Sequence, residues 1–328
     1  TAPVPGSDVD DFVQACFTTP IPLAVGPLFQ CTLGTITDRD HVLIVRVHHT
    51  IADGHSLDLL FGEWSDFYRS ERRGTPPATD HDEPASYLDY ARSQHVQMRL
   101  PRFREQLQSW VADLDGAPAP ARLVSTGAEE ALPVHTVSRP IDDELLEALD
   151  SVTSRTNATR FITGLALWAA FVMQESSTDD IVVGVPMADA SWTPSRTTIG
   201  CYVNTAPLRI TRETSSSLEE LISRVRATVL ASLDRSGVPL ERILRALPQT
   251  SGSTPLIQHM FQIQTSDEAL GRTLELDEVE VETGWTMHPA RELESYCRLH
   301  PLDHEIRIAL RSPSPVSYTH LRAHETKT

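Results

Sequence analysis

Between His41 and Ser70 the apolar pattern changes character across an eight-residue connection, and that change limits the possible folds more than any other stretch. His41–Val47 is a short run of β-branched and apolar residues, which reads as a buried strand. From Ser56 to Ser70 the apolar residues fall at Leu57, Leu60, Phe61, Trp64, Phe67 and Tyr68, the spacing of a helix with one core-facing stripe. Only His48-His49-Thr50-Ile51-Ala52-Asp53-Gly54 and His55 lie between them, so the chain must pass abruptly from strand to helix.

The rest of the chain repeats this alternation. Pro27–Ile36 reads as a strand paired with His41–Val47 through the polar turn Thr37-Asp38-Arg39-Asp40. Tyr87 to Leu114 reads as helix with a break near Pro101, and Ala117-Pro118-Ala119-Pro120 as a boundary between lobes. Beyond it, strands are expected at His135–Arg139, Asp180–Val185, His259–Gln264, Leu274–Val281 and Glu305–Leu310. Helices are expected from Asp142, from Thr159, from the capping box Ser217-Leu218-Glu219-Glu220, and after Pro239. This order predicts a mixed α/β fold in two layered lobes, residues 1–116 and 121–312. Residues 315–328 do not read like the rest and are expected to be a non-native cloned tail.

With 45 acidic residues against 28 basic ones and a formal charge of −17, the chain should repel phosphate backbones and anionic lipids. Neither nucleic acid nor membrane is expected as a partner. Cys16, Cys31, Cys201 and Cys297 show no C-x-x-C spacing and read as reduced thiols of a cytoplasmic protein. The first residues lack the charged start and apolar stretch of a signal peptide.

The candidate chemistry sits in the connection. On a strand, His48 and His49 would face opposite sides, so one packs inward while the other meets substrate. Gly54 is expected to supply a backbone conformation closed to other residues. Asp53 should hydrogen-bond local backbone or an arginine and fix the loop that presents the imidazole. A satisfied pair of core histidines, or a metal site of His49, Asp53 and His55, are the alternative readings.

His48–Gly54 fits H-H-x-x-x-D-G, and further segments follow in order. Ser86-Tyr87-Leu88-Asp89-Tyr90-Ala91 fits Y-x-D-Y-A, and Ile199-Gly200-Cys201-Tyr202-Val203-Asn204-Thr205-Ala206-Pro207-Leu208-Arg209 fits I-G-x-F-V-N-T-x-x-x-R. Val238-Pro239-Leu240-Glu241 and Thr254-Pro255-Leu256-Ile257-Gln258-His259-Met260-Phe261 are similar to Y-P-F-E and N-P-L-F-Q-x-M-F. In this set of motifs the chain resembles the condensation domains of nonribosomal peptide synthetases, within the chloramphenicol-acetyltransferase-like superfamily. Two departures stand out: Asp189-Ala190 where the family commonly has Gly-Arg, with Arg196 as a substitute for that arginine, and Arg235 at the start of the H-Q-D-Y-P-F-E segment.

The resemblance implies two lobes forming a V around a tunnel, with the N-terminal lobe incomplete because the histidine pair comes so early in the chain. An unpaired sheet edge and uncovered apolar surface are then expected around Phe29, Leu33, Leu43 and Val45. It implies peptide-bond formation between donor and acceptor thioesters on peptidyl carrier proteins, in a monomeric domain of a larger chain beside an adenylation domain. His49, His48, Asp53 and Gly54 would be catalytic, and Asn204, Tyr202 and Thr205 would hold substrate. No cofactor or metal is expected beyond the carriers' phosphopantetheine arms. The rival readings are an acyltransferase of the same fold with a hydroxyl acceptor or acyl-CoA donor, and a silent partner-docking domain.

Overall fold

The computed structural model describes residues 2–3, 9–18, 21–76, 86–119, 121, 123, 134–188, 197–213, 216–248, 256–263, 274–281, 295–300 and 305–311. Internal contacts divide the chain into two units. The first consists of Thr1–Tyr87, Pro194–Tyr202 and Leu270–Val281, and the second of Leu88–Thr193, Val203–Ala269 and Glu282–Thr328. The boundary expected at Ala117–Pro120 is therefore corrected. The helix before it buries Trp110 and Leu114 in the core of the second unit, while two later segments return to the first.

In the first unit, β2 (Phe29–Thr35) and β3 (His41–Val47) pair antiparallel from Phe29 opposite Val47 to Thr35 opposite His41. Thr37 and Asp40 close the turn between them, with the Thr37 hydroxyl donating to Asp40 Oδ2 at 2.7 Å. β1 (Ala2–Pro3) adds to β2 in parallel, and α1 (Val9–Thr18) contacts β3. Period-two alternation puts Phe29, Cys31 and Leu33 on one face of β2, and all three are exposed, with Leu43 and Val45 opposite them half-buried.

α2 (Gly54–Arg73) carries the expected apolar stripe, but Leu57, Leu60, Phe61 and Trp64 are only half-buried and Phe67 is exposed. Its buried residues are Ser56, Asp58 and Ser65. Residues 274–281, expected as a strand, are instead an irregular segment with a turn from Leu276 to Val279 and a positive φ of 67° at Glu278. Its backbone is drawn to α2 in place of a sheet: Glu275 N–H donates to Ser65 Oγ at 2.9 Å, Asp277 pairs with Arg73 at 3.0 Å, and Glu278 pairs with Arg72.

The second unit is built on a six-stranded sheet of order β4-β9-β8-β7-β5-β6. These strands are β4 (Val134–Pro140), β5 (Asp180–Ala188), β6 (Val203–Thr211), β7 (His259–Ile263), β8 (Ser295–His300) and β9 (Glu305–Arg311). β8–β7–β5 are parallel neighbours and the other pairs antiparallel. α6 (Arg160–Glu175) is apolar around most of its circumference, which requires burial on several sides. Leu165, Ala166, Ala169, Val172 and Met173 are all fully buried, facing a core that includes Val183, Leu208 and Phe261. α5 (Asp143–Arg155) and α7 (Leu218–Leu233) both pack against α6, α7 also against β6, and Ser217 and Glu220 form the expected capping box at the start of α7.

Arg209, the last residue of the I-G-x-F-V-N-T-x-x-x-R segment, ties β6 to the end of α4 (Pro101–Leu114). Its guanidinium grips Asp180 through Nε at 3.0 Å and Nη2 at 2.7 Å, and also donates to the carbonyls of Asp115 at 2.7 Å and Gly116 at 3.1 Å. A planar fork can satisfy a carboxylate and orphaned helix-end carbonyls at once, which a lysine cannot. Arg235, the other departure from the family pattern, is also structural. It is buried, donates to Ser109 Oγ at 2.7 Å, pairs with Asp113 at 2.5 Å and stacks 4.2 Å above the Trp110 ring. Asp189, Ala190, Arg196 and the tail 315–328 lie outside the described residues.

Candidate active site

β3 ends at Val47, and His48–Ile51 form a turn in which Ile51 N–H donates to the His48 carbonyl at 3.1 Å. The histidine pair therefore does not lie on the strand, and the strand-alternation argument for it is replaced by one from hydrogen bonds. His48 Nδ1 accepts from Thr50 N–H at 3.2 Å and contacts Thr50 Oγ1 at 2.8 Å, so this ring stiffens the turn. His49 is exposed, and its Nδ1 lies 2.9 Å from the carbonyl oxygen of Ala52. A carbonyl only accepts, so Nδ1 carries a proton. In the neutral ring the basic lone pair is then on Nε2.

Asp53 is 5% exposed, and among the described residues it bonds to backbone and to Ser56, not to an arginine. As N-cap of α2 it accepts from Ser56 N–H at 3.0 Å and contacts Ser56 Oγ at 2.8 Å through Oδ1. Its Oδ2 accepts from Tyr202 N–H at 3.0 Å, and its own N–H donates to Gly200 O at 3.1 Å. Ser56 Oγ adds a contact of 2.7 Å to Gly200 O and accepts from Gly200 N–H at 3.0 Å. The two motifs, far apart in sequence, are thus clipped together through Asp53 and Ser56. Gly54 is the first residue of α2 and does not have a positive φ, so the expected special backbone conformation is corrected. Its N–H belongs to the first helical turn, where no intrahelical acceptor exists.

Tyr87, the first residue of α3 (Tyr87–Gln97), reaches the same place. Its hydroxyl donates to Cys201 O at 3.1 Å, and its ring meets Tyr202 edge-on with centroids 5.4 Å apart. Gly200 makes this possible: a Cβ there would stand 2.3 Å from a Tyr87 ring carbon and 2.8 Å from one of Tyr202. Gly200→Ala should cost about 1–3 kcal/mol or more by overpacking. Thermal melts of Gly200→Ala, Tyr87→Ala and the double variant test it, and the double variant should recover part of the loss, because the tyrosine ring is what the new methyl strikes.

The His49 imidazole is held up at about 9, chiefly by the Cys201 side chain, against desolvation, with hydrogen bonds to its own backbone and to Ala52 adding to it. Sequence reasoning missed Cys201, Ser56 and Gly200. The only signal was that Gly200 and Cys201 lie within the I-G-x-F-V-N-T motif, and nothing in the sequence pairs that motif with His49.

Of the residues expected to hold substrate, Tyr202 is only 4% exposed and serves as a backbone donor and packing partner. Asn204 belongs to the second unit. Its Nδ2 donates to Ser236 O at 2.8 Å and Val238 O at 2.7 Å, and its Oδ1 accepts from Thr205 N–H at 2.9 Å and Leu240 N–H at 3.2 Å. All four hydrogen-bonding positions of the amide are used, so the assignment to substrate is corrected to clamping the Ser236–Leu240 loop. Thr205 is half-buried in β6 opposite Pro186. No group of three His, Cys, Asp or Glu suited to a metal ion occurs among the described residues, and none of the described helices is long and apolar enough to cross a membrane.

Residues 5–295 match the family model described as the condensation domain. The chain is 31% identical to cyclosporin synthetase of Tolypocladium inflatum over 80% of its own length and 2% of that protein. It is 30% identical to the beauvericin nonribosomal cyclodepsipeptide synthetase of Gibberella fujikuroi, over 82% and 9%. It thus spans a small fraction of these curated relatives. Among solved structures, the X-domain from teicoplanin biosynthesis superposes with a TM-score of 0.84 at 21% identity, covering 98% of this chain and 76% of that one. The first condensation domain of the calcium-dependent antibiotic synthetase, bound to a substrate analogue, gives 0.76 at 20% identity, covering 96% and 71%.

Proposed function

The chain belongs to the condensation-domain family of nonribosomal peptide synthetases, and we propose on that premise that it joins a donor acyl or peptidyl thioester to an acceptor aminoacyl thioester through an amide bond. Both substrates arrive on the phosphopantetheine arms of carrier proteins, next to an adenylation domain of the same synthetase. The acceptor nitrogen attacks the donor carbonyl, His49 Nε2 takes the nitrogen's proton, and the carbon–sulfur bond breaks to release the donor carrier's thiol. The Gly54 N–H at the start of α2 offers a donor to the developing oxyanion. Asp53 and His48 hold the loop and do not touch the reacting atoms.

The observation that carries this reading is the bond from His49 Nδ1 to Ala52 O, which leaves Nε2 as the basic atom of an exposed ring. The test is mass spectrometry of carrier-bound product with both carriers loaded. An amide on the acceptor carrier is expected. Product only with a hydroxyl acceptor or acyl-CoA donor would move the chain to another acyl transfer, and carrier or protein binding without any product would make it a docking domain.

The raised imidazole sets a pH dependence. Below about 9 the His49 ring is mostly protonated, so the base form and kcat/KM should rise with pH up to that value. Cys201→Ala removes the largest cause of the rise, and the midpoint should fall toward the ordinary histidine range. The acceptor's own ammonium titrates identically in both proteins, so the difference between the two profiles reports on His49. Coincident profiles would contradict the assignment.

A further inference from the structure

We propose that the exposed surface of α4, of the corner before it and of α8 (Leu240–Ala246) is the docking face for a carrier protein, which meets it with an acidic surface around the phosphodiester of its arm. The inference rests on the reading that carriers deliver both substrates. The chain as a whole carries −17, so most of it repels an anionic partner. Such a partner settles where exposed cations lack a carboxylate of their own.

Arg209, Arg212, Arg224 and Arg235 of the second unit each have a carboxylate partner. Arg99, in the corner between α3 and α4, and Arg102 and Arg104, in the first turn of α4, are exposed and have no ion pair among the described residues. The same holds for Arg242 and Arg245, which lie one turn apart on α8. The two groups are brought together because α8 packs against α4. Of the acids on these helices Asp113 is taken by Arg235, which leaves Glu105 and Glu241 against five arginines. Apolar side chains lie among the charges, with Leu100 50% exposed and Leu244 42%.

The platform is held from within. Phe103 and Leu107 of α4 and Leu240 of α8 pack against the core. Trp110 Nε1 donates to Arg235 O at 3.1 Å, and Gln106 Nε2 donates to Asp234 O. Asn204 Oδ1 accepts from the N–H of Leu240, the first residue of α8, at 3.2 Å, so the clamp made by Asn204 supports this surface. The backbone is fixed before a partner arrives, and only side chains need ordering on binding. The phosphodiester is ionised at neutral pH, and a guanidinium offers it a planar fork of donors. Exposed pairs are individually weak and screened by salt, which suits a carrier that must leave after every transfer.

The test is fluorescence anisotropy of a labelled carrier protein bearing its phosphopantetheine arm, titrated with the full chain. Binding is read without turnover, so this surface and the amide-forming reading fail separately. Arg99→Glu with Arg102→Glu, and Arg242→Glu with Arg245→Glu, should each weaken Kd about tenfold or more. The corresponding lysine variants keep the charge and should stay within about threefold of the parent. All should melt with the parent, because the residues changed are exposed. The parent's Kd should rise steeply with salt and that of the reversed chains should stay nearly flat. A carrier that does not bind the parent, binds it regardless of salt, or binds the folded reversed chains equally well overturns the proposal. A DNA duplex that binds more tightly than the carrier overturns it too.

Discussion

His49→Ala is expected to lower amide formation by about 10²- to 10⁴-fold, the range that general-base catalysis supplies. Its melting transition should move little, because an exposed side chain contributes little packing and the loop is held by Asp53, Ser56 and Gly200. The measurement is single-turnover product formation on loaded carriers, beside a thermal melt of the same preparation. Turnover within a few-fold of the parent chain would leave His49 without a proton-transfer role. Positioning of the two thioesters would then account for the reaction.

Asp53→Ala should differ in kind, losing stability together with activity. The carboxylate caps α2 and accepts from Tyr202 N–H, and both bonds are buried. Removing it strands two backbone donors and a helix cap. The expected cost is about 3–5 kcal/mol, from charge-assisted hydrogen bonds and the lost cap together. Asp53→Asn should fall between the two proteins. Its amide oxygen can still cap α2, but an amide NH₂ then faces the Tyr202 N–H, donor against donor. Calorimetry or circular dichroism melts give the order parent, Asn, Ala. An Ala variant that melts with the parent but is inactive would assign Asp53 to the chemistry itself.

What could be read in the sequence was what local pattern determines. The β2–β3 hairpin, the helix after the motif, the break at Pro101, the capping box at Ser217 and most strands of the second unit lie where periodicity and caps put them. The motif residues His48 to Gly54 were legible as a unit, and the resemblance they carry is confirmed by the family match. Partners were not legible. Asp53 was expected to bond local backbone or an arginine, but one of the three bonds its carboxylate accepts comes from a segment some 150 residues away, and no local rule couples the two. Asn204 shows the limit of inferring function from a polar residue on a strand, since backbone groups satisfied the amide completely. Residues 274–281 alternate well enough to read as a strand, but their acidic side chains meet the arginines at the end of α2, and a turn breaks the extension. The lobe boundary failed for a similar reason: composition marked a linker, while the burial of Trp110 and Leu114 decided which core α4 joins.

The clip between the loop and Gly200–Tyr202 also sets an order of events during synthesis. Ser56 and Gly200 are 144 residues apart, and Asp53 and Tyr202 are 149 apart. At translation rates of about 5–20 residues per second, the histidine loop leaves the ribosome roughly 7–30 s before the segment that holds it has been made. Throughout that interval Asp53 can cap α2 but has no Tyr202 to bind. A nascent chain halted before Tyr202 would therefore display the complete seven-residue signature on an unfastened loop, and the base would come under control only as the second motif emerged.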